Sequence, residues 1–400
     1  MLPTKQFIYV SFLFISIMIH AGLFAQGRKS EYIQWSSDLI LPAPEGAQKQ
    51  IGVAGVFAGV HDGVLLVAGG ANFPDAMPWQ GGKKRYHDEI YVLKLDEKKG
   101  FSWIHARDAR LKQAIAYGAS VTIPAGVVCI GGETGAATYS NQVFLMQWND
   151  AEQSVIFREL PSLPIPIANA AVTHIGDSIY VAGGETTGKV SEAFFRLNLS
   201  TANPQWETLP SIPAAMSHSV AVAQSDGTHD CVYIIGGRTA SASGISKLHH
   251  TNFCFDPATS QWKEKHPISN GNKNTNLSAG TGVALGADYI LLPGGDNGLT
   301  FHKIETYNAH IAAVQSESEK QALQKEKLSL IHHHSGFSRN LYLYHTTNDR
   351  WEKIGELPDN AQVTTTLVKW KDYIFIPSGE IKPGVRTPKI MVGRILPDKQ

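Results

Sequence analysis

Six apolar runs of this chain each end in a pair of small residues, and this repeat constrains the fold more than any other feature. The pair is Gly-Gly in five runs and Ser-Gly in the last, and the runs end at Gly70, Gly132, Gly184, Gly237, Gly295 and Gly379. These glycines are 62, 52, 53, 58 and 84 residues apart. A repeat of roughly 50 residues is typical of β-propeller blades of the kelch type.

One repeat unit can be followed through residues 217–265. The segments SHSVAVAQ, CVYIIGG, NFCFDP and QWKEKH are four short β-rich runs separated by turn residues, which is the pattern of consecutive strands. Blades of this kind stack into one closed ring. We therefore predict an all-β chain in which residues 26–400 form a single six-bladed kelch-type β-propeller.

The two ends of the chain predict how the ring closes. The C-terminal region contains three strand-like segments, VTTTLVKW, YIFIPSG and TPKIMVGRI, without a fourth. Residues 31–42 contain one strand-like segment, EYIQWSSDLILP, that has no neighbouring strand-like segment to pair with. Joining them would complete the sixth blade and remove two exposed sheet edges. We predict that the N-terminal strand closes the last blade.

Two insertions interrupt the repeat. Residues 305–332 have helical composition and lie before the sixth glycine pair, and we expect them to cover one mouth of the ring, since long ordered loops are usually functional. The run His332-His333-His334 ends this insertion, and adjacent residues point in different directions. We interpret these histidines as solvated or locally hydrogen-bonded, with a metal site as the alternative. The other insertion, between Gly70 and Asp88, is a second candidate binding loop.

Charge and composition exclude several classes of partner. Lys plus Arg and Asp plus Glu number 35 each, so the chain lacks the basic patch of a nucleic-acid-binding protein and a polybasic membrane-binding segment. Residues 1–25 have a positive start, an apolar stretch and a small terminal residue, the order of a secretory signal peptide. We expect cleavage after Ala25, a periplasmic location and no stable membrane association thereafter; an uncleaved anchor is the alternative.

The three cysteines, Cys129, Cys231 and Cys254, do not form a disulfide framework, because their number is odd and their spacing irregular. We interpret them as buried small apolar residues. A bridge between Cys231 and Cys254, on neighbouring strands of one blade, is the alternative.

Residues just after the glycine pairs are expected to meet at a common mouth. They are Asn72, Glu133, Glu185, Arg238, Asp296 and Glu380. Convergent polar groups in a concave site make this ring the default small-molecule site. Taken singly, Glu185 and Asp296 are interpreted as solvated loop ends.

The sixth copy differs from the others in the residues on its C-terminal side. Glu380 comes directly after the Ser-Gly pair, Pro383-Gly384 is a turn signal, and Arg386 begins the next strand. A carboxylate and a guanidinium across a tight turn can both face one cavity. They can equally form a surface ion pair of little energetic value, and the residues alone leave both options open.

Three segments resemble one known family. GGANFPD…GGKKRYHDEIYVL, GGETG and SGEIKPGVRT are similar to the N-acetylneuraminate epimerase (sialic acid mutarotase) family, with the blade order rotated as in cyclically permuted mutarotases. The resemblance implies an exported isomerase that interconverts the α and β anomers of sialic acid without metal or cofactor. It implies that Glu380 is the proton acceptor and Arg386 binds substrate. Glu133, Asn72 and Phe73 lie in matching segments. Ser378 departs from the family pattern.

Tyr86 and Arg238 are further substrate-binding candidates. Tyr86, Glu133 or a water held by Arg238 are the candidates to protonate the ring oxygen. The alternative function is a non-catalytic kelch propeller that binds a glycan or a protein, because fold does not fix function. The sequence leaves the oligomeric state open, with a homodimer as one option.

Overall fold

The computed structural model describes residues 32–96 and 100–396. Within these ranges, six four-stranded antiparallel sheets form the blades of a β-propeller. Between the second and third strands of blades 1 to 3 lies a separate two-stranded hairpin, formed by β4-β5, β10-β11 and β16-β17. The strands of these blades and hairpins are, in chain order, β2 (Phe57–His61), β3 (Val64–Ala68), β4 (Ala71–Asn72), β5 (Arg85–Tyr86), β6 (Ile90–Asp96), β7 (Gly100–Ile104), β8 (Ala119–Ile123), β9 (Gly126–Ile130), β10 (Glu133–Gly135), β11 (Thr138–Tyr139), β12 (Val143–Asn149), β13 (Ser154–Leu160), β14 (Ala171–Ile175), β15 (Ser178–Ala182), β16 (Glu185–Thr186), β17 (Lys189–Val190), β18 (Phe194–Asn198) and β19 (Trp206–Thr208).

Blades 4 to 6 repeat this order, with helices in blade 5 and the first strand of the chain in blade 6. Their elements are β20 (Val220–Ser225), β21 (Asp230–Ile235), β22 (Arg238–Thr239), β23 (Lys247–Leu248), β24 (Asn252–Asp256), β25 (Gln261–Lys265), β26 (Val283–Leu285), β27 (Tyr289–Pro293), α1 (Leu299–Ala313), α2 (Glu317–His332), β28 (Asn340–His345), β29 (Arg350–Glu356), β30 (Val368–Trp370), β31 (Tyr373–Pro377), β32 (Glu380–Lys382), β33 (Val385–Arg386), β34 (Lys389–Ile395) and β1 (Ile33–Ile40).

Blade 6 is built from both ends of the described chain. Its strand order is β1-β34-β31-β30, and β1 pairs antiparallel with β34 from Ile33 opposite Ile395 to Ile40 opposite Lys389. Strand β2 of blade 1 contacts both β8 and β30, so the ring is closed. The six-bladed propeller and the shared last blade predicted from the sequence are confirmed.

The second strand of each blade is buried at every position except, in some blades, its first. Strands β3 and β9 are buried at every position, and β31 is buried at all but its first. Both faces of these strands pack against neighbouring blades, which explains why they read as continuous apolar runs rather than as alternating ones. The glycine pair comes directly afterwards and turns the chain toward one mouth of the ring.

A closed circle of backbone hydrogen bonds joins the six blades at that mouth. Each blade contributes one residue of positive φ just before its first strand: Gly55, Tyr117, Asn169, His218, Ala279 and Thr364, with φ values of 73°, 60°, 54°, 56°, 53° and 52°. The N–H group of each donates to the carbonyl oxygen of the equivalent residue in the preceding blade, at 2.7–3.0 Å. Gly55 donates to Thr364 of the last blade, which completes the circle.

Ser378, the departure in the sixth repeat, serves ring closure. Its side chain is fully buried, and its hydroxyl accepts a hydrogen bond from Val53 N–H at 2.9 Å. The same oxygen lies 2.8 Å from the Val53 carbonyl oxygen and 2.7 Å from that of Thr387, within donating distance of each. At the equivalent Gly183 and Gly236, an added Cβ would lie 2.2 Å from a carbonyl oxygen of the next blade. Serine at this place therefore ties blade 6 to blade 1.

The helical insertion forms two helices in the place where the other blades have a short hairpin. It begins at Leu299, earlier than the boundary near residue 305 expected from the sequence, and ends at His332. His333 Nδ1 lies 2.8 Å from the Ser329 carbonyl oxygen, and His334 Nδ1 accepts the Gly336 N–H at 2.9 Å. The local hydrogen bonds predicted for the histidine run are thus present at these two residues.

Two further sequence expectations concern the membrane and the cysteines. In the part of the chain that the structure describes, no helix is long and apolar enough to cross a membrane; the predicted signal peptide lies outside that part. Cys129, Cys231 and Cys254 are all free and buried. They are the small buried residues expected, and the Cys231–Cys254 bridge is not formed.

Deleting residues 31–42 from a chain that starts at Gln26 should prevent cooperative folding. The deletion removes β1, with buried Ile33 and, just beyond the strand, buried Leu41, and leaves the edge of β34 unpaired. Each fully buried apolar side chain contributes about 1.5–3 kcal/mol, against a total stability of about 5–15 kcal/mol. Thermal unfolding followed by circular dichroism checks this, with the chain starting at Gln26 as the control. Native melting of the deletion variant would contradict the shared blade.

Replacing Ser378 with alanine should lower the free energy of unfolding by about 1–3 kcal/mol, because the buried Val53 N–H loses its partner. Urea denaturation of the variant checks the value. Ser335→Ala, at an exposed position, is the matched control and should unfold as wild type does. Equal stability of the two variants would show that Ser378 does not support closure.

Candidate functional site

A cavity of about 490 Å³ lies at the mouth of the ring. This volume is within the usual range of about 300–1,000 Å³ for small-molecule sites. Five members of the hydrogen-bonded circle line its floor, and α1 contributes Phe301 and Ile304. Its acidic, basic and histidine lining residues are Lys84, Glu133, Glu185, His218, Arg238, Asp296, His334 and Glu380. Blades 1 to 6 and the helical insertion therefore all contribute to one polar site.

Backbone pairing gives the side chains after the glycine pairs equivalent positions. Each such residue forms a β-bridge with the residue just before a member of the circle, namely Ala71 with Ala54, Glu133 with Ala116, Glu185 with Ala168, Arg238 with Ser217, Asp296 with Ser278 and Glu380 with Val363. Five of the six positions carry a charged side chain, and all five line the cavity. The convergence expected from the repeat is therefore present.

Blade 1 is the exception, and Asn72 does not line the cavity. Ala71 takes the position that charged residues take elsewhere, and side chains alternate along a strand, so Asn72 points away. Asn72 is buried, its Nδ2 donates to the Gly52 carbonyl oxygen at 3.0 Å, and its Oδ1 lies 2.9 Å from His87 Nε2. Its amide is occupied by contacts that hold the loop, which corrects the placement expected from the sequence.

Glu380 and Arg386 face each other across the turn predicted from the sequence. They are cross-strand partners in the β32–β33 hairpin, and Arg386 Nη2 lies 3.3 Å from Glu380 Oε2. The other carboxylate oxygen accepts the Gly384 N–H at 2.7 Å. The Arg386 side chain is 6% exposed and that of Glu380 18%. This is a shielded pair, unlike the solvated surface pair that the residues alone left open.

Arg386 lies behind Glu380 rather than on the cavity wall. Its guanidinium stacks on the Phe73 ring at 4.8 Å and reaches the Tyr117 hydroxyl at 3.4 Å. Nε and Nη1 are buried without hydrogen-bond partners among the described residues. Phe73 thus supports Arg386 from the first-blade loop. In this arrangement Arg386 positions the Glu380 carboxylate, and the substrate-binding role expected for it stays a prediction.

The first-blade loop also braces the turn and the helices. Gly384 lies so close to Trp79 that an added Cβ would be 2.9 Å from the ring. The other side of Trp79 packs edge-to-face on His332, at the end of α2, with 5.9 Å between centroids. The insertion between Gly70 and Asp88 therefore connects the Glu380 turn to the helical cover.

Glu133 belongs to a cluster with Lys84 and Tyr86. Lys84 Nζ lies 3.6 Å from Glu133 Oε2 and 4.6 Å from the centroid of the Tyr117 ring. Glu133 Oε1 accepts the Ala137 N–H at 3.2 Å. Burial is the main cause that raises the pKa of Tyr86, and the Glu133 carboxylate is the second. Tyr86 packs with Tyr117 and does not line the cavity. The Glu133 carboxylate is thus already paired.

Arg238 is the cavity-lining cation that has no carboxylate within ion-pair distance among the described residues. Its guanidinium stacks on Phe301 of α1 at 4.7 Å, and Nη2 lies 3.3 Å from His218 Nε2. Burial and the charge of Arg238 hold the pKa of His218 well below its usual range, so this imidazole is neutral. Arg238 is therefore available to an anionic ligand.

Sequence reasoning missed His218, Phe301 and the Tyr117 hydroxyl as site groups. His218 and Tyr117 are members of the circle. Every member except Thr364 is preceded in the sequence by Ala or Ser, as Tyr117 is by Ala116 and His218 by Ser217. That repeat was a signal available in the sequence. The stacking of Phe301 on Arg238 had no such signal, because it depends on how α1 lies across the mouth.

Glu185 and Asp296 differ although they occupy equivalent positions. Glu185 accepts hydrogen bonds from Asn169 Nδ2 at 2.9 Å and from the Ser217 hydroxyl at 3.0 Å, one on each oxygen. Asp296 Oδ1 accepts the Gly298 N–H at 2.8 Å, and Oδ2 has no partner in the described chain. Burial, and to a smaller extent the Glu380 charge, raise the pKa of Asp296. Asp296 is thus the less satisfied carboxyl.

Comparison with known proteins agrees with this architecture. The chain is 40% identical to an N-acetylneuraminate epimerase of Vibrio cholerae over 131 residues, 30% of this chain and 32% of that protein. It is 27% identical to one of Salmonella paratyphi B over 235 residues, 58% of this chain and 57% of that protein. These alignments thus span from about a third to somewhat over half of each relative's length.

A solved structure and a family model extend over most of the chain. The structure titled "Structure of YjhT" superposes with a TM-score of 0.56 and 15% identity, covering 88% of this chain and 97% of the other, and shows the same fold. The model of the family described as N-acetylneuraminate epimerase matches residues 12–155 and 160–400. This protein therefore belongs to the N-acetylneuraminate epimerase family.

Proposed function

We propose that this protein is a mutarotase that interconverts the α and β anomers of N-acetylneuraminate. The observation that carries the proposal is the shielded Glu380–Arg386 pair at the edge of a polar cavity of about 490 Å³, in a chain that belongs to the epimerase family. A cavity of that size and polarity suits a single sugar acid. The mechanism is general acid/base ring opening.

Glu380 acts as the base in this mechanism. Mutarotation of a 2-keto sugar acid requires removal of the proton on the anomeric hydroxyl, protonation of the ring oxygen and reclosure on the other face. A positioned carboxylate contributes about 10²–10⁴-fold through general base catalysis. Gly384 N–H and Arg386 hold one oxygen each of Glu380, so the carboxylate is oriented before the substrate binds.

Arg238 and Lys84 recognise the substrate carboxylate in this proposal. Both line the cavity, and the planar guanidinium of Arg238 matches a carboxylate with two parallel hydrogen bonds. Stacking on Phe301 restricts its rotamers and so lowers the entropy lost on binding. Lys84 adds a second positive charge to the cavity lining, and its ion pair with Glu133 partly neutralises that charge.

Export to the periplasm is part of the proposal. It rests on the signal-peptide pattern of residues 1–25, which lie outside the described residues. A periplasmic enzyme would meet free sialic acid before uptake. The alternative function, a propeller that binds a glycan or protein without chemistry, predicts binding without acceleration, so one assay separates the two.

Wild-type protein should accelerate the decay of the α anomer of freshly released N-acetylneuraminate. Proton NMR resolves the two anomers and follows the decay directly. In Glu380→Gln, the rate above buffer should fall by about 100-fold or more, because the base is lost. Glu356→Gln, on the outer strand β29, is the matched control with wild-type activity expected. Decay no faster than in buffer with wild-type protein would refute the mutarotase.

Lysine substitutions at the two arginines should have different kinetic effects. Arg386→Lys should lower kcat about 10–100-fold with little change in KM, because a lysine cannot reproduce the stacked, forked contact that holds Glu380. Arg238→Lys should mainly raise KM, because the two-point contact with the substrate carboxylate is lost. Progress curves over a range of sialic acid concentrations separate the parameters. An increase in KM alone for Arg386→Lys would instead assign Arg386 to substrate binding.

A further inference from the structure

We propose that Asp296 is the acid that protonates the ring oxygen while Glu380 takes the proton of the anomeric hydroxyl. The proposal rests on the mutarotase function above and assigns the second proton-transfer group of the same site. Asp296 was interpreted from the sequence as a solvated loop end. Its surroundings in the structure indicate a different role.

Asp296 and Glu380 emerge from adjacent blades at the same level of the mouth. Each comes directly after a glycine pair, and they form equivalent bridges, with Ser278 and Val363, respectively. Both line the same cavity. Two carboxyl groups that emerge side by side at one mouth can contact different oxygens of one bound sugar ring, as an acid and a base of the same reaction must.

Hydrogen bonding distinguishes Asp296 from the other carboxyl groups of the mouth. Glu133 has Lys84 and the Ala137 N–H, Glu185 has Asn169 and Ser217, and Glu380 has Arg386 and the Gly384 N–H. Asp296 has the Gly298 N–H alone, and none of the described cations forms an ion pair with it. Oδ2 therefore remains free to carry a proton and donate it. Each of the other three carboxylates has a partner on both of its oxygens.

The electrostatic surroundings shift the Asp296 carboxyl toward its protonated form relative to an ordinary aspartate. Burial is the largest influence on the pKa of Asp296 and raises it, as does the negative charge of Glu380. The Gly298 N–H and Arg238 act in the opposite direction and are outweighed. In the same cavity, burial holds the pKa of His334 below its usual value, so that His334 adds no positive charge at neutral pH.

The other candidates for the acid fit less well. Burial and the neighbouring Glu133 raise the pKa of Tyr86, and Tyr86 does not line the cavity. Both oxygens of Glu133 are already occupied, one by Lys84 and the other by the Ala137 N–H. These contacts leave Asp296 as the carboxyl best placed to donate.

The proton balance closes over one cycle. Glu380 removes the anomeric hydroxyl proton, the bond between the anomeric carbon and the ring oxygen breaks, and Asp296 transfers its proton to that oxygen. The open-chain ketone then rotates about the neighbouring carbon–carbon bond. In reclosure, ionised Asp296 takes the hydroxyl proton back, and protonated Glu380 returns a proton to the new anomeric oxygen. Both carboxyl groups regain their starting states.

Asp296→Asn tests the assignment. We expect the catalysed rate of anomer exchange at neutral pH to fall about 100-fold or more, because an amide cannot donate this proton. In wild type the rate should decline as rising pH ionises Asp296, and this alkaline decline should be absent in the variant. Affinity for N-acetylneuraminate, measured by isothermal titration calorimetry, should change less than about threefold.

Two controls keep the outcomes distinct. Asp296→Glu should retain an alkaline decline, and Asp372→Asn, an exposed aspartate in the turn before β31, should behave as wild type. An Asp296→Asn protein that melts as wild type but keeps the full rate and the alkaline decline would overturn the assignment of Asp296. If Asp296→Asn fails to fold, the Asp296→Glu profile decides: an alkaline decline identical to that of wild type overturns the assignment, and a shifted one supports it. Inactive wild type would refute the mutarotase itself.

Discussion

The circle of six backbone hydrogen bonds at the mouth is the constraint on which the site depends. Five of its six members are not glycine yet hold positive φ, a conformation that costs roughly 1–2 kcal/mol per residue. Each N–H···O=C bond between blades offsets part of that cost, at about 0.5–1.5 kcal/mol net. Because each bond needs the next blade in place, the arrangement is stable only in the closed ring.

This circle determines where the charged side chains emerge. The residue before each member bridges to the residue after a glycine pair, so the circle brings five charged positions to one level of the mouth. The sixth position is Ala71, which leaves space beside the first-blade loop. Phe73 of that loop stacks on Arg386, and Trp79 packs on Gly384. The asymmetry of blade 1 thereby supports the Glu380 turn of blade 6.

Ring closure and the proposed chemistry are concentrated in the same blade. The Ser378 hydroxyl contacts two backbone atoms of Val53 in blade 1 and one of Thr387 in its own blade, and Glu380 comes two residues later. The Ser378 hydroxyl fixes the chain just before the hairpin, and Trp79 packs against Gly384 in its turn. A base held on such a rigid element keeps its orientation between turnovers, as general base catalysis requires.

Much of this could be predicted from the sequence. The repeat predicted six blades, the unpartnered strand at residues 31–42 predicted the closure, and the turn with Glu380 and Arg386 predicted the central pair. These features are local or periodic, so spacing reveals them. The placement of Asn72 was wrong because the sequence does not show that Ala71 takes the cavity-facing register in blade 1. The difference between Glu185 and Asp296 was also hidden, since it depends on Asn169 and Ser217 from neighbouring segments.

The amino-acid sequence by itself determined the blade number, the shared last blade and the five charged residues that follow the glycine pairs at the mouth, because apolar periodicity and glycine pairs encode them in short segments. Only the tertiary structure decided which of those residues are neutralised and which are available. Arg386 lies behind Glu380 and stacks on Phe73. Arg238 stacks on Phe301. Among the residues that the structure describes, no carboxylate pairs with Arg238, and Asp296 Oδ2 has no hydrogen-bond partner. Burial and pairing decide these roles, and both arise from side chains that are distant in sequence and meet only when the ring closes.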